Sequence, residues 1–125
     1  MNSLLDTHVL LWWLDDHPSL SERARATISE GGNLIFVSAV VIWEIRIKQA
    51  LGKLKIPPNF RQVLDRQSFE TLSVTAEHAH AVADIPAIHR DPFDRMLLAQ
   101  ASVEGFTIVS RDSVFERYNI PLIKA

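Results

Sequence analysis

Four carboxylates stand where their residue types could do chemistry: Asp6, Glu44, Asp94 and Asp112. Asp6 ends the apolar run Ser3-Leu4-Leu5, and Asp112 follows Thr107-Ile108-Val109-Ser110. If both runs are strands of an open α/β sheet, both acids reach the crevice beyond the strands' carboxyl ends, where such sheets build their sites. Taken singly, each is equally an Asp capping a turn or a helix, the commoner use. Glu44 says more. On a helix its neighbours are Val40, Val41, Ile47 and Lys48, so it lies largely on an apolar stripe. An ionised carboxylate there needs a partner, a cation or a shifted pKa. An i,i+4 pair with Lys48 is the simplest alternative. Asp94 is the third residue of a helix opened by Asp91-Pro92, where negative charge also suits the macrodipole. That helix precedes the strand leading to Asp112, so its start is expected over the same sheet edge.

Convergence of the four would gather like charges with no lysine or arginine placed to neutralise them all. Such a cluster raises its own pKa values or takes up a cation. Oxygen-only ligands suit Mg²⁺ or Mn²⁺. The chemistry that fits is hydrolysis of a phosphodiester, with the ion activating water and neutralising the leaving oxygen. The spacing of the four acids alone is a weak pattern.

Elements able to position these groups follow from the apolar runs and the breakers. Leu4-Leu5 starts a short buried strand, and Thr7 to Leu14 is helix-compatible until His17-Pro18. Ser19-Leu20-Ser21-Glu22 reads as a capping box for a second helix that stops at Gly31-Gly32. Leu34 to Val37 is a strand, and Ser38 is the N-cap of a helix from Ala39 to about Leu51, with Gly52 just beyond. Past Pro57-Pro58 a short helix runs from Asn59 to Arg66, then a weak strand over Thr71 to Val74. A helix from Thr75 is ended by Pro86, and the Asp91-Pro92 helix runs to Gly105. Phe106 to Ser110 is a strand, Val114 to Tyr118 a helical turn, and Ile120 to Ile123 a last strand. Strands alternating with helices predict one α/β domain over residues 1–125, a short central parallel sheet with helices on both faces.

Composition agrees. At 125 residues, 47% hydrophobic and 22% charged, the chain is neither disordered, collagen-like nor coiled coil. With no cysteine there is no disulfide scaffold, thiolate metal site or cysteine nucleophile. A net charge of −2 excludes a basic coat, so a nucleic acid must be held by a local patch or through metal ions. No apolar run is long enough for a membrane span, and the first residues carry no basic n-region. The expected location is cytoplasmic.

The segments Leu4-Leu5-Asp6-Thr7-His8-Val9, Ser38-Ala39-Val40-Val41-Ile42-Trp43-Glu44, His89-Arg90-Asp91-Pro92-Phe93-Asp94-Arg95 and Ser110-Arg111-Asp112-Ser113 carry a resemblance. In this order they resemble PIN-domain ribonucleases, most closely the VapC-type toxins of type II toxin–antitoxin modules. The similarity spans nearly the whole chain and implies a PIN-like three-layer sandwich. It also implies an acidic quartet of Asp6, Glu44, Asp94 and Asp112 that binds Mg²⁺, with Mn²⁺ able to substitute, and positions the attacking water. Hydroxyls of Thr7, Ser38 and Ser110 are implied to support the site; Ser110 stands where relatives often have Thr. Further implications are an RNA substrate such as a tRNA or rRNA, a homodimer, and a cognate antitoxin that blocks the site.

Between Ile45 and Leu64 there are five basic residues and no acids: Arg46, Lys48, Lys53, Lys55 and Arg61. These either hold an RNA backbone or form a solvated face. Trp12, Trp13 and Trp43 are expected in packing or in a dimer or antitoxin surface rather than stacked on bases. The five histidines make no metal set by spacing: His78 and His80 point to opposite sides of a helix, and His89, just before the Asp91-Pro92 helix, either touches substrate or is an ordinary loop histidine, the commoner case. Without a Gly-x-Ser-x-Gly elbow a serine hydrolase is unsupported. A phosphoacceptor receiver domain needs an acidic pair after its first strand, where this chain has Asp6-Thr7-His8. The remaining alternative is a catalytically inactive PIN-like module that binds RNA or a partner.

Overall fold

The computed structural model describes residues 1–125. Five strands form one sheet: β1 Asn2–Leu5, β2 Leu34–Ser38, β3 Glu70–Leu72, β4 Thr107–Ser110 and β5 Leu122–Lys124. Their spatial order is β3-β2-β1-β4-β5. Every neighbouring pair is parallel. Six helices flank the sheet: α1 Thr7–Leu14, α2 Glu22–Ser29, α3 Ala39–Ala50, α4 Phe60–Asp65, α5 Ala76–Ala81 and α6 Pro92–Glu104. The expected α/β architecture is present.

The order contains its own functional pointer. From β1 the chain winds outward through β2 and β3, then returns to place β4 and β5 on β1's other side. The winding reverses between β1 and β4, where Leu5 pairs with Val109. A crevice opens at such a switch point beyond the carboxyl ends of the strands. Asp6, Ser38 and Ser110 all sit on that edge because each ends or follows a parallel strand.

The core explains why the strands read as unbroken apolar runs. Both faces of β1 and β4 are covered, and Leu4, Leu5, Ile108 and Val109 are fully buried. Val9 and Leu10 of α1, Val41 and Ile45 of α3, and Leu97 and Leu98 of α6 join them. Burying each large aliphatic side chain contributes about 1.5–3 kcal/mol. The three helices that carry candidate residues are thus fixed on one core, with α3 in contact with both α1 and α6.

Local signals hold at most ends. Ser38 caps α3 by accepting from Val40 N–H, and Asp91 caps α6 by accepting from Phe93 and Asp94 N–H, with Pro92 first in the helix. Gly105 ends α6 with φ +72°, a left-handed conformation that glycine adopts without a Cβ penalty. Several boundaries differ from the sequence reading, four of them for a visible local reason. The second helix is capped by Ser21, which accepts from Ala24 N–H, so Glu22 is its first residue and the Ser19 capping box does not form. The Ser19 N–H instead donates to His17 Nδ1. β3 comes one residue early because it pairs only with Phe36 to Ser38, where β2 ends. The helix after Thr75 breaks at Ala81 into a 3₁₀ turn over Val82–Asp84, whose end is tied by Arg95 donating to the carbonyls of Val82 and Ile85. β5 starts after Pro121, whose ring leaves no N–H for the ladder.

Candidate active site

Asp6 leaves the end of β1 as the N-cap of α1, accepting from Val9 N–H at 2.9 Å. The Asp6 N–H is held by Val109 O of β4. Ser110 donates its hydroxyl to Asp6 Oδ2 and accepts from Asp112 N–H at 3.0 Å. One buried serine therefore fixes both aspartates at the switch point. Asp112 itself is exposed and caps the 3₁₀ turn over Ser113–Arg117.

Glu44 lies six residues beyond the N-cap of α3, about 9 Å up the helix axis at 1.5 Å per residue. It is only 5% exposed despite its charge. Thr7 at the start of α1 donates to Glu44 Oε1 at 2.6 Å, and Lys48 Nζ stands 2.5 Å from Oε2. The pairing with Lys48 is present, and Glu44 stands at the cleft. Lys48's own pKa is raised, first by its hydrogen bond to Glu44.

Asp94 arrives from the opposite direction. α6 must return the chain to the start of β4, so its N-terminus lies at the strands' carboxyl edge. The four acids of the quartet line one cleft with a volume of about 480 Å³. Trp12 is its only apolar lining residue, and Thr7, His8, His89, Asp91 and Arg111 complete the wall with Lys48. Five carboxylates there face two permanent cations, Lys48 and Arg111. Burial pushes the Asp6 carboxyl up, and Asp112's charge adds to this against the hydrogen bonds from Ser110 and Val9. Burial pushes Asp94 up to about 6, with Asp91 and Asp6 adding repulsion and His89 opposing it.

His89 makes a contact with the quartet that spacing alone did not give. Its Nε2 lies 2.7 Å from Asp94 Oδ2 and 3.8 Å from Asp112 Oδ2. His89 is in the loop before α6, as expected, and its ring lines the cleft. Its backbone is tied by Tyr118 and Arg95, residues whose positions no local pattern relates to His89. The only sequence signal is its place five residues before Asp94 on a polar stretch.

Other candidates scatter. Ser38 is buried, and its hydroxyl accepts from Val40 N–H as a helix cap; it does not line the cleft. Among the basic set only Lys48 lines it. Arg46 is exposed, bonded to Gln49 and stacked over Phe60. Lys53 and Lys55 are exposed past the end of α3, Lys55 beside an adjoining groove that includes Trp12, Leu54 and Phe60. Trp13 packs as expected, with its Nε1–H donating to Gln67 Oε1. Trp12 lies beneath the Arg111 guanidinium, 4.5 Å from its ring centre. Trp43 is 61% exposed, edge-on to Phe93.

Oxygen donors dominate the cleft, and its five carboxylates outnumber its two permanent cations. Both features fit a hard or borderline divalent cation. One ligand atom from each of His89, Asp94 and Asp112 lies within 4.8 Å of the others, and Asp6 and Glu44 line the same cleft. No helix of the chain is long and apolar enough to cross a membrane.

Comparison with known proteins agrees with this geometry. The chain is 29% identical over 122 residues to Ribonuclease VapC22 of Mycobacterium tuberculosis, covering 94% of this chain and 92% of that protein. Its fold matches VapBC2 from Rickettsia felis, solved bound to a promoter DNA fragment, with a TM-score of 0.77 at 18% identity. That alignment covers 100% of this chain and 99% of the other. It also matches a toxin–antitoxin complex from Klebsiella pneumoniae with a TM-score of 0.66 at 15% identity, over 98% and 96% of the two chains. The PIN domain family model matches residues 3–121, nearly the whole molecule. An acidic cleft at the switch point of a parallel sheet, on a chain matched almost end to end, places this protein in the PIN domain family.

Proposed function

We propose that this chain is a metal-dependent endoribonuclease that hydrolyses RNA phosphodiester bonds, acting as the toxin of a VapC-like toxin–antitoxin pair. The observation that carries the reading is the meeting of Asp6, Glu44, Asp94 and Asp112 in one polar cleft. The relative named a ribonuclease and the structural likeness to a toxin–antitoxin complex support it.

In this reading the four acids are the catalytic and metal-holding groups, and residues 1–125 form one nuclease domain. The bound ion, Mg²⁺ or Mn²⁺, supplies charge neutralisation at the scissile phosphate and makes water more acidic. The chain's own side chains do the positioning. Ser110 fixes Asp6 and Asp112 relative to each other. Thr7 turns Glu44 toward the cleft, and Lys48 limits its charge. Asp94, which burial raises to about 6, stays largely ionised at neutral pH, the form able to hold a cation. Arg111 and Lys48 at the rim meet the RNA backbone, with Arg46, Lys53 and Lys55 extending the track along α3 and the segment after it. A cognate antitoxin covers the cleft, the working form is a cytoplasmic homodimer, and the substrate is a structured RNA such as tRNA or rRNA.

Incubation of the purified chain with total bacterial RNA tests the reading. Discrete fragments that need Mg²⁺ or Mn²⁺ and vanish in EDTA are expected. Intact RNA under every metal condition contradicts it and favours a module that only binds.

A further inference from the structure

We propose that His89 is itself a ligand of the divalent ion, beside Asp94 and Asp112, and that its imidazole makes the centre favour Mn²⁺ over Mg²⁺. The proposal rests on the metal-dependent reading above and specifies its donor set.

Geometry is the first argument. One ligand atom from each of His89, Asp94 and Asp112 lies within 4.8 Å of the other two. Around an octahedral ion with bonds of about 2.1 Å, adjacent ligand atoms sit about 3 Å apart and opposite ones about 4.2 Å. Nε2 is 2.7 Å from the Asp94 oxygen and 3.8 Å from the Asp112 oxygen, both within about 0.4 Å of an octahedral separation, so one ion could sit between His89 and either acid with small shifts. A histidine that served only to hold Asp94 would need no second carboxylate in reach.

Preorganisation is the second. The backbone N–H of His89 donates to Tyr118 Oη at 2.8 Å, and that hydroxyl donates to Pro86 O at 3.0 Å. Arg95 donates to the carbonyls of Pro86 and His89, and on its other nitrogen to Val82 and Ile85. The imidazole stands edge-on to Phe115, which is buried. With its backbone tied at both N–H and C=O and its ring packed on Phe115, His89 has less freedom left to lose on coordination.

Chemistry sets the preference. Mg²⁺ takes oxygen and keeps its waters, whereas imidazole suits first-row transition ions. Adding one nitrogen to a carboxylate set therefore costs Mg²⁺ more than Mn²⁺, the transition ion that also accepts carboxylate readily.

The test uses the full chain labelled with ¹⁵N-histidine and loaded with Mn²⁺, read by pulsed EPR, with Mn²⁺ and Mg²⁺ affinities from calorimetry. His89→Gln is the variant. His8→Gln is the control, since His8 lines the same cleft. The expected result is a ¹⁵N coupling in wild type and His8→Gln that disappears in His89→Gln. Mn²⁺ affinity should fall in His89→Gln by at least the roughly 10- to 100-fold that even an outer partner's loss costs. Mg²⁺ affinity should change far less. Mn²⁺ bound without nitrogen coupling, or coupling that survives His89→Gln, overturns the ligand assignment while leaving metal-dependent cleavage intact. A wild-type chain that binds neither ion overturns both readings.

Discussion

Ser110 donates its hydroxyl to Asp6 Oδ2, joining residues 104 positions apart in the chain. The bond exists because β1 and β4 are neighbours although nearly the whole sequence lies between them. The same oxygen takes Asp112 N–H, so this hydroxyl sets the spacing of two quartet acids.

Replacing Ser110 with Ala should therefore do two things. Stability falls by about 1–3 kcal/mol, because a buried carboxylate loses its donor and a backbone N–H its acceptor. Cleavage falls as well, since Asp6 and Asp112 lose their common reference. Ser110→Thr, which keeps the hydroxyl, should restore most of both. Urea unfolding and cleavage rates on the three proteins check this. An Ala variant as active as wild type would remove Ser110 from the site.

The acids also make a prediction about pH. Folding raises Asp94 from 3.8 to about 6 and raises Asp6 in the same direction. Between those limits the folded chain holds a proton that the unfolded chain has released. This contribution is full below the unfolded value and is lost as pH rises through the folded one. In EDTA, stability should drop from pH 4.5 to pH 6.5, by about 2 kcal/mol for Asp94 alone. Asp94→Asn should flatten that slope. Chemical denaturation across this range measures it, and an unchanged slope in Asp94→Asn would contradict the assignment.

Much of this was legible in the residues. The strands are apolar runs because both faces are covered, and Asp91-Pro92 and Gly105 mark α6 through backbone rules that act within a few residues. Asp6, Glu44, Asp94 and Asp112 could be picked out because each stands at a strand end, on an apolar stripe or at a helix start. His89 could not. What brings it to Asp94 is Tyr118 and Arg95, and no periodicity encodes a tie between a loop and a residue 29 positions away. The Ser19 capping box failed for a related reason: Ser19 and Ser21 offer the same local chemistry, and His17 settles which one caps.

Arg95 supplies a prediction about motion. Its guanidinium holds four carbonyls of the stretch from Val82 to His89. Arg95→Ala should cost about 2 kcal/mol and leave several carbonyls unpaired. Amide hydrogen exchange should rise over residues 82–90 while β1 and β4 stay protected. Protection unchanged over that stretch would show that the loop is held by other means.

The central claim is that the converging acids cut RNA. It is tested most directly by single-turnover cleavage of a short RNA spanning one mapped site, comparing wild type with Asp94→Asn in saturating Mn²⁺. The account predicts a rate lower by at least about 100-fold, the scale for losing a group that acts at the transition state. Melting at pH 7 should be unchanged or higher, because a charge that burial disfavours is gone. Cleavage by Asp94→Asn at the wild-type rate would contradict the site and the function built on it.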